Sequence, residues 1–562
     1  MKLFILALVL LICTSSFAMT VVNSLDGRDL VSGIYFSAVT NDTLVFATPG
    51  STAQDMYGQI GTGQNVTLIQ SAANPVIVGL AAGLTNAGNT VTIIQSSDPM
   101  ATNLEFAKTS GTHKFVIVDP VYGYNTVSAL PYAKLNGMYL IFMDKDNAAN
   151  ATALMKEQGA TDILIYGYVD PEVTAAITSA GLVYRQINNG DEFDDNMQIT
   201  DMYFAQNPSK HQIILSDGNA FDSTMAAGND PIVLISPVIP DSVYQYIKGK
   251  VASGQIVAAM LVDQSYAQTS YNLKTSINND LGKNNSLSVF VKFGESITST
   301  GGQMNQVALF PLPGPSFGLT ISAIDYNTVK QQLEVTYSNT GNALEYVQPS
   351  MQVFDDGALA GTVGDEQPFS IPAGQELGRD YPIKIQQGNV SANITAYFGS
   401  SKKTFQNGIQ VMMDAGNVQF VDSSVLNITQ FNRDSDTDDL FVTYANIGNV
   451  TLYFTAAATI QANGTTTTIN DDNTYQLAPG QGHMVKFPGI ATIGSNITAS
   501  ADYGSRQAFL EKSVAEEYTP QEAAGGNTLL IAGIVIVILA VIAAAYFLLR
   551  KKEEPKKEKK KK

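Results

Sequence analysis

Four aspartates occupy the positions where chemistry would first be sought. Asp119, Asp144, Asp217 and Asp263 directly follow the apolar runs FVIV, YLIFM, QIILS and AAMLV. Such runs are strands, and α/β proteins hold ligands at the carboxyl ends of parallel strands. On one sheet edge the four could form a polar-ligand or cation site. The competing role is helix capping and turn formation, the usual duty of aspartate after a strand.

Other constellations are weaker. Gly314-Pro315-Ser316-Phe317-Gly318 matches G-x-S-x-G, but a nucleophile elbow needs a strand before it and a helix after it. Here Pro311, Pro313 and Pro315 come first and the alternating LTISAID follows. The stretch reads as a linker. Gly58, Gly61 and Gly63 are followed by Val66, where a dinucleotide loop needs its third glycine, and no Walker lysine follows. His113, His211 and His483 lie far apart, against a histidine metal cluster. No catalytic residue and no cofactor is assigned. The acidic run with Asp434, Asp436, Asp438 and Asp439 leaves two readings open: a weak extracellular calcium loop, or a solvated hairpin tip. An EF-hand would carry Gly sixth and Glu twelfth, where this chain has Asp439 and Ala445.

The elements that must position these residues differ between the two halves of the chain. Uninterrupted β-branched runs between 19 and 300 fit strands buried on both faces of a parallel sheet. Helices alternate with them. Asp170-Pro171 opens one as cap and first residue, and Val243, Ile247 and Val251 mark the buried face of another. The stretch 115–144 parallels 213–237, and 42–71 is a looser third copy. Three α/β units are expected, near 19–100, 101–190 and 191–300.

Beyond a linker at 301–318 the texture changes. LEVTYSNTGN at 333–342 returns as LFVTYANIGN at 440–449. IPAGQ at 371–375 returns as APGQ at 478–481, and NITAYFGS at 393–400 as NITASADYGS at 496–505. The near-constant offset marks a tandem duplication. Leu333, Val335 and Tyr337 alternate with polar residues, as in a strand with one wet face. Two β-sandwiches are expected, at 319–412 and 417–514.

The chain opens MKLFILALVLLICTSSFAMT, with the character of a secretory signal peptide over 1–18. Its one cysteine, Cys13, falls inside that leader, so thiol chemistry is not expected in the mature chain. After a linker at 515–528, Leu529–Leu549 is uncharged and free of proline. As a helix it would span roughly 31 Å, the thickness of a hydrocarbon core. The tail 550–562 holds nine basic and three acidic residues. Such a tail stays cytoplasmic and can lie on anionic lipid headgroups. The expected topology is a single-pass surface protein, N-terminus outside, anchored in the membrane through Leu529–Leu549. The net charge of −18 leaves the external part near about −25 once the basic tail and Lys2 are set aside. That excludes nucleic acid as a partner. Ten Asn-x-Ser/Thr sequons are glycosylation candidates: Asn41, Asn65, Asn150, Asn284, Asn389, Asn393, Asn427, Asn449, Asn463 and Asn496.

Two resemblances follow from these stretches. LxVxYxNxGN followed by PxGQ resembles archaeal and bacterial CARDB-like, immunoglobulin-type surface domains, which implies spacer or adhesion modules without catalytic residues. The strand, polar loop, small-residue helix and apolar strand of 115–144 and 213–237 resemble the type-2 cell-wall-binding repeat. Gly190-Asp191-Glu192-Phe193 and Gly27-Arg28-Asp29-Leu30 stand where that repeat begins. The resemblance implies a tandem triplet on a cell surface and a basic groove for anionic wall polymer. Glu192 replaces the expected Arg, and the anionic exterior suits such a ligand poorly. The expectation is a non-enzymatic S-layer or envelope component that associates with itself or with other envelope proteins and glycans. The alternatives are an adhesin or wall-glycan receptor, and a tethered solute-binding protein or hydrolase.

Overall fold

The structure, a computed structural model, describes residues 18–520 apart from 283–284, 294, 297–303, 306, 387, 435–438, 463–464, 488–489 and 491–495. The expected leader 1–18 lies outside the described residues except for Ala18, which begins a strand, and the expected span 529–549 and the basic tail lie outside them entirely. Among the described residues no helix is long and apolar enough to cross a membrane.

The N-terminal region is α/β, with three parallel four-stranded sheets of one strand order, second–first–third–fourth. In the first sheet Ala18–Asn23 lies between Thr43–Phe46 and Asn65–Ser71, with Thr90–Ser96 outermost. In the second, Lys114–Val118 lies between Tyr139–Phe142 and Asp162–Tyr166, with Arg185–Ile187 outermost. In the third, Gln212–Ser216 lies between Ile232–Leu234 and Ala258–Leu261, with Ser288–Val291 outermost. The run Phe115–Val118 is buried throughout, because helices cover both faces. Aspartates start several helices: Asp26, Asp98 and Asp191 each accept a backbone N–H from the first turn.

The first unit is in a different phase from the one its sequence suggests. Ala18–Asn23, Gly27–Thr40 and Thr43–Phe46 are the counterparts of Lys114–Val118, Gly123–Asn136 and Tyr139–Phe142. Gly27-Arg28-Asp29-Leu30 therefore opens a crossover helix. Gly190-Asp191-Glu192-Phe193 instead opens Glu192–Gln206, which leads from the second unit into the third. Its counterpart is Pro99–Ser110, between the first unit and the second. The strand Ala18–Asn23 directly follows the N-terminal apolar run, so no local signal in the sequence separates it as an element.

Asparagine amides knit these units together. Asn103, on Pro99–Ser110, donates to Leu140 O (3.1 Å) and accepts from Phe142 N–H (3.0 Å). Asn196, on Glu192–Gln206, donates to Ile232 O and accepts from Leu234 N–H, both at 2.8 Å. Each amide thus replaces the neighbouring strand that an edge strand lacks. The equivalent edge of the first sheet, Thr43–Phe46, meets no such helix among the described residues, and its Leu44 and Phe46 stay half-buried.

The segment Phe310–Pro313 ties the three units together. Phe310–Pro311 pairs with Ala220–Phe221 of the third unit, and Leu312 N–H donates to Asn219 O (2.9 Å). Gly123 N–H of the second unit donates to Pro313 O (3.0 Å). A Cβ on Gly27 of the first unit would lie 3.0 Å from Pro311 O. Proline suits this strap, since it brings no N–H that would need a partner.

The C-terminal region is β-rich and almost wholly antiparallel. In its first sandwich Leu319–Asn327, Gln332–Asn339 and Glu376–Pro382 pack against Glu345–Asp355, Val390–Gly399 and their neighbours. Gly416–Val418 joins the first of these sheets in parallel. In the second sandwich Leu426–Arg433, Leu440–Asn446 and Gly482–Phe487 face Leu452–Ala462, Thr465–Leu477, Asn496–Gly504 and Lys512–Tyr518.

The duplicated phrase has one physical purpose in both copies. Its apolar residues, Leu333, Val335 and Tyr337 or Leu440, Val442 and Tyr444, enter the core. Its first asparagine, 1% exposed in each copy, joins two loops. Asn339 donates to Ala343 O (2.8 Å) and Ile371 O (2.9 Å); Asn446 donates to Val450 O (2.8 Å) and Leu477 O (3.0 Å). Each Oδ1 accepts from the glycine two residues on.

The second sandwich packs back onto the second α/β unit. Ala175, on helix Pro171–Ser179, belongs to that sandwich's core. Ala148, Ala149 and Ala153 of helix Ala148–Glu157 and Ala175 and Ala176 of helix Pro171–Ser179 face the strand Thr465–Leu477 across a shared space. The sandwiches are therefore not a simple stalk beneath the head.

Asn196→Ala leaves the Ile232 carbonyl and the Leu234 N–H unpaired inside the protein. The expected loss of stability is about 2–4 kcal/mol. Thermal unfolding of the full chain measures it, and exposed Asn272→Ala is the control, expected to change stability by less than about 0.5 kcal/mol.

Candidate functional site

The sheet order of the second unit reverses between Lys114–Val118 and Asp162–Tyr166. Their carboxyl ends run into Asp119-Pro120-Val121-Tyr122 and Gly167-Tyr168-Val169-Asp170. Such a reversal opens a crevice, the usual ligand position in an open parallel sheet. Gly167 has φ +79°, and a Cβ there would lie 2.2 Å from the Asn125 amide, so glycine is required.

Both sandwiches close over this crevice. The turn Asn342-Ala343-Leu344 and the loop Pro372-Ala373-Gln375, the two signature stretches of the first sandwich, form one wall. Leu344 N–H donates to the Tyr122 hydroxyl (3.2 Å). Asn473 of the second sandwich also lines the space, leaving a cavity of about 370 Å³. Burial pushes Asp119 up to about 7, and Asp170 and Asp144 add to the rise.

Beside the cavity, helix Glu192–Gln206 turns its N-terminus toward the first sandwich. Asp191 Oδ1 caps Phe193 and Asp194, while its Oδ2 accepts from the Ser401 hydroxyl (2.6 Å). The Ser400 hydroxyl donates to both Glu192 oxygens (3.0 and 3.1 Å), and Lys403 pairs with Asp194. The positive end of the helix favours these acids. Burial raises Glu192 to about 7 and Asp195 to about 6, with the neighbouring Asp191 adding to both. The acids at the repeat-like Gly190-Asp191-Glu192-Phe193 thus dock the sandwich.

The sandwiches meet at a second charged joint. Arg506 pairs with buried Glu334 (2.5 Å) and lies 4.4 and 4.2 Å from the Phe420 and Phe509 ring centres. Glu334 also accepts from Asn327 (2.9 Å). Burial opposes its ionisation, but Arg506 and Asn327 hold its carboxyl below the ordinary value. Glu334, Asp380 and Glu511 bring oxygens within 4.8 Å of one another, a spacing that could hold a metal ion. Arg506 and Lys330 already supply cationic partners there.

The strand-end aspartates do not share one edge. Asp119 and Asp144 lie in the second unit, Asp217 and Asp263 in the third, because each unit builds its own sheet. Asp144 accepts from the N–H groups of Asp146 and Asn147. Asp217 accepts from Asn219 N–H and Tyr266, and Asp263 caps Ser265. Asp119 is the one of the four that lines the cavity.

Of the acidic run, Asp434 and Asp439 lie within the described residues, beside the paired strands Leu426–Arg433 and Leu440–Asn446. Asp434 N–H donates to Asp439 O, and the Asp439 carboxylate pairs with Lys486 at 2.7 Å. Asp436 and Asp438 lie outside the described residues. Ser316 sits in a loop, its N–H bonded to Asn342. His113 and His211 each contact a backbone carbonyl, of Gln158 and Gln255, and His483 lies against Tyr475. Asn41, Asn65, Asn150, Asn389, Asn427, Asn449 and Asn496 are exposed and Asn393 is half-buried, while Asn284 and Asn463 lie outside the described residues. Sequence reasoning missed Glu334, Arg506, Ser400, Ser401 and the asparagine bridges. The last had a readable signal: Asp98 and Asn103 share their spacing with Asp191 and Asn196, 93 residues later.

No family model matches the chain, and no curated protein matches it. Among solved structures the chain is similar to Cwp8 from Clostridium difficile, at 13% identity, 48% of each chain covered and a TM-score of 0.39. The chain thus spans about half of Cwp8's length. It is also similar to the SafA pilin–SafB chaperone complex of Salmonella enterica, at 12% identity over 36% of this chain and 96% of that one, TM-score 0.15. The YadV chaperone matches at 10% identity over 36% and 99%, TM-score 0.14.

Arg506→Met strands the Glu334 carboxylate in the joint and is expected to cost about 3–5 kcal/mol. Glu334→Gln in that background recovers part of the loss, read by thermal unfolding. Glu192 has a raised folded value, so the docked state binds its proton more tightly than the undocked one. Docking weakens as pH rises from about 4 toward 7. Small-angle scattering reads this as a larger radius of gyration at pH 8 than at pH 5, and Glu192→Gln reduces the difference.

Proposed function

We propose that this chain is a non-enzymatic structural protein of the cell surface, an S-layer or envelope component anchored through Leu529–Leu549. In this reading three units of the cell-wall-binding-repeat kind and two immunoglobulin-type sandwiches form one interlocked block for assembly outside the cell. What carries the reading is the crevice of the second unit. Loops that would otherwise present a reactive site are bonded to the first sandwich through Tyr122, Asp191 and Glu192. A surface protein without disulfides gains rigidity this way, and repeated rigid blocks raise effective local concentration in an array.

One observation favours the second reading, an adhesin or glycan-binding receptor: about 370 Å³ remains open among the three modules. Electron cryotomography of the native cell surface separates the two. A periodic lattice containing this chain is expected, and its loss on deletion of the protein completes the test. Isolated molecules without lattice order would favour the receptor, and a cytosolic location would sink both readings.

A further inference from the structure

We propose that the cavity where the second unit meets both sandwiches binds an ammonium group, a primary or methylated amine carried by a small molecule or by a lysine of a partner protein. This goes beyond the structural role and does not depend on it.

Asp119, Asp170 and Glu172 line the cavity and Lys145 alone opposes them. Asp119 is 5% exposed. Its Oδ1 accepts from Val121 N–H (2.8 Å), while its Oδ2 accepts nothing from the described residues. Glu172 Oε2 is buried without a hydrogen-bond partner. Asp170 uses Oδ2 to accept from Lys145 N–H (3.0 Å). Buried carboxylates with open acceptor positions call for a donor that is also a cation.

The aromatic lining says which kind of cation. Tyr122 and Tyr168 border the space, their rings 6.1 Å apart between centres and inclined at 75°. Two inclined rings beside carboxylates can attract an ammonium through the ring quadrupoles. Ala343, Leu344 and Pro372 add apolar surface for methyl or methylene groups. Calcium instead seeks six to eight oxygens at short range and gains nothing from rings. The volume of about 370 Å³ admits a small organic cation.

Calorimetry on the full chain tests this with four probes: choline, Nα-acetyl-lysine amide, calcium chloride and glucose. Saturable binding of at least one of the first two is expected. Choline alone would identify a small-molecule ligand, and the lysine amide alone a partner's side chain. Asp119 must be ionised to bind, and its folded value is about 7. Affinity should therefore be about tenfold higher at pH 8 than at pH 6. Asp144, Asp170, Glu172, Lys145, Tyr122 and Tyr168 surround it and set the background titration. Asp119→Asn keeps an acceptor for Val121 N–H, and should weaken binding at least tenfold and flatten the pH dependence. Tyr168→Ala should also weaken binding, and Asp263→Asn should leave it unchanged. Three results would each overturn the proposal: no saturable binding of either ammonium probe, preference for calcium or glucose, or unchanged binding in folded Asp119→Asn.

Discussion

Every strand edge buried between modules needs hydrogen-bond partners, and this chain supplies many of them with asparagine. A side-chain amide presents one carbonyl and one N–H group, the same pair a neighbouring strand would offer. Asn103 and Asn196 bridge alternate residues of edge strands, and within single units Asn23 bonds both ways to the loop residue Ile77 and Asn278 to Leu287. Removing such a bridge leaves two unmatched backbone groups in a dry setting, which costs far more than the net value of the bonds themselves. The arrangement of units in the head depends on this constraint.

The same constraint explains how a chain whose single cysteine is Cys13 can join five modules without disulfides between them. Each joint combines apolar contact with a few committed polar groups. At the head they are Tyr122, Asp191 and Glu192 against Leu344, Ser401 and Ser400. Between the sandwiches they are Glu334 and Arg506, with Phe420 and Phe509 flanking the guanidinium. Buried charge pairs add little net stability, but they penalise any other alignment of the partners. The joints therefore define a geometry. They also concentrate carboxylates, and burial makes Glu192 harder to ionise.

Much of this was legible in the residues. Continuous apolar runs announced parallel sheets, because strands covered on both faces have no wet side to encode. Alternation in LEVTYSNTGN announced the opposite case, and its second copy announced a duplicated module. The phase of the first unit is not legible because its opening strand, Ala18–Asn23, directly follows the N-terminal apolar run and no local pattern separates the two. The four strand-end aspartates were read as one group because local pattern says where a strand ends, not which sheet it joins. The pairing of Asp439 with Lys486, 47 residues away in sequence, has no local signal.

The sequence alone determined the element types, the order of textures along the chain and the duplication, since these follow from periodicity and turn chemistry within a few residues. Tertiary structure alone decided that the second sandwich packs back onto the second α/β unit, that Phe310–Pro313 straps three units, and that Asp119 faces a shared cavity while its three counterparts serve as caps or turn formers. Those outcomes depend on shape and charge matching between surfaces far apart in sequence. No local pattern encodes such matching, because each surface is compatible with water until its partner displaces it.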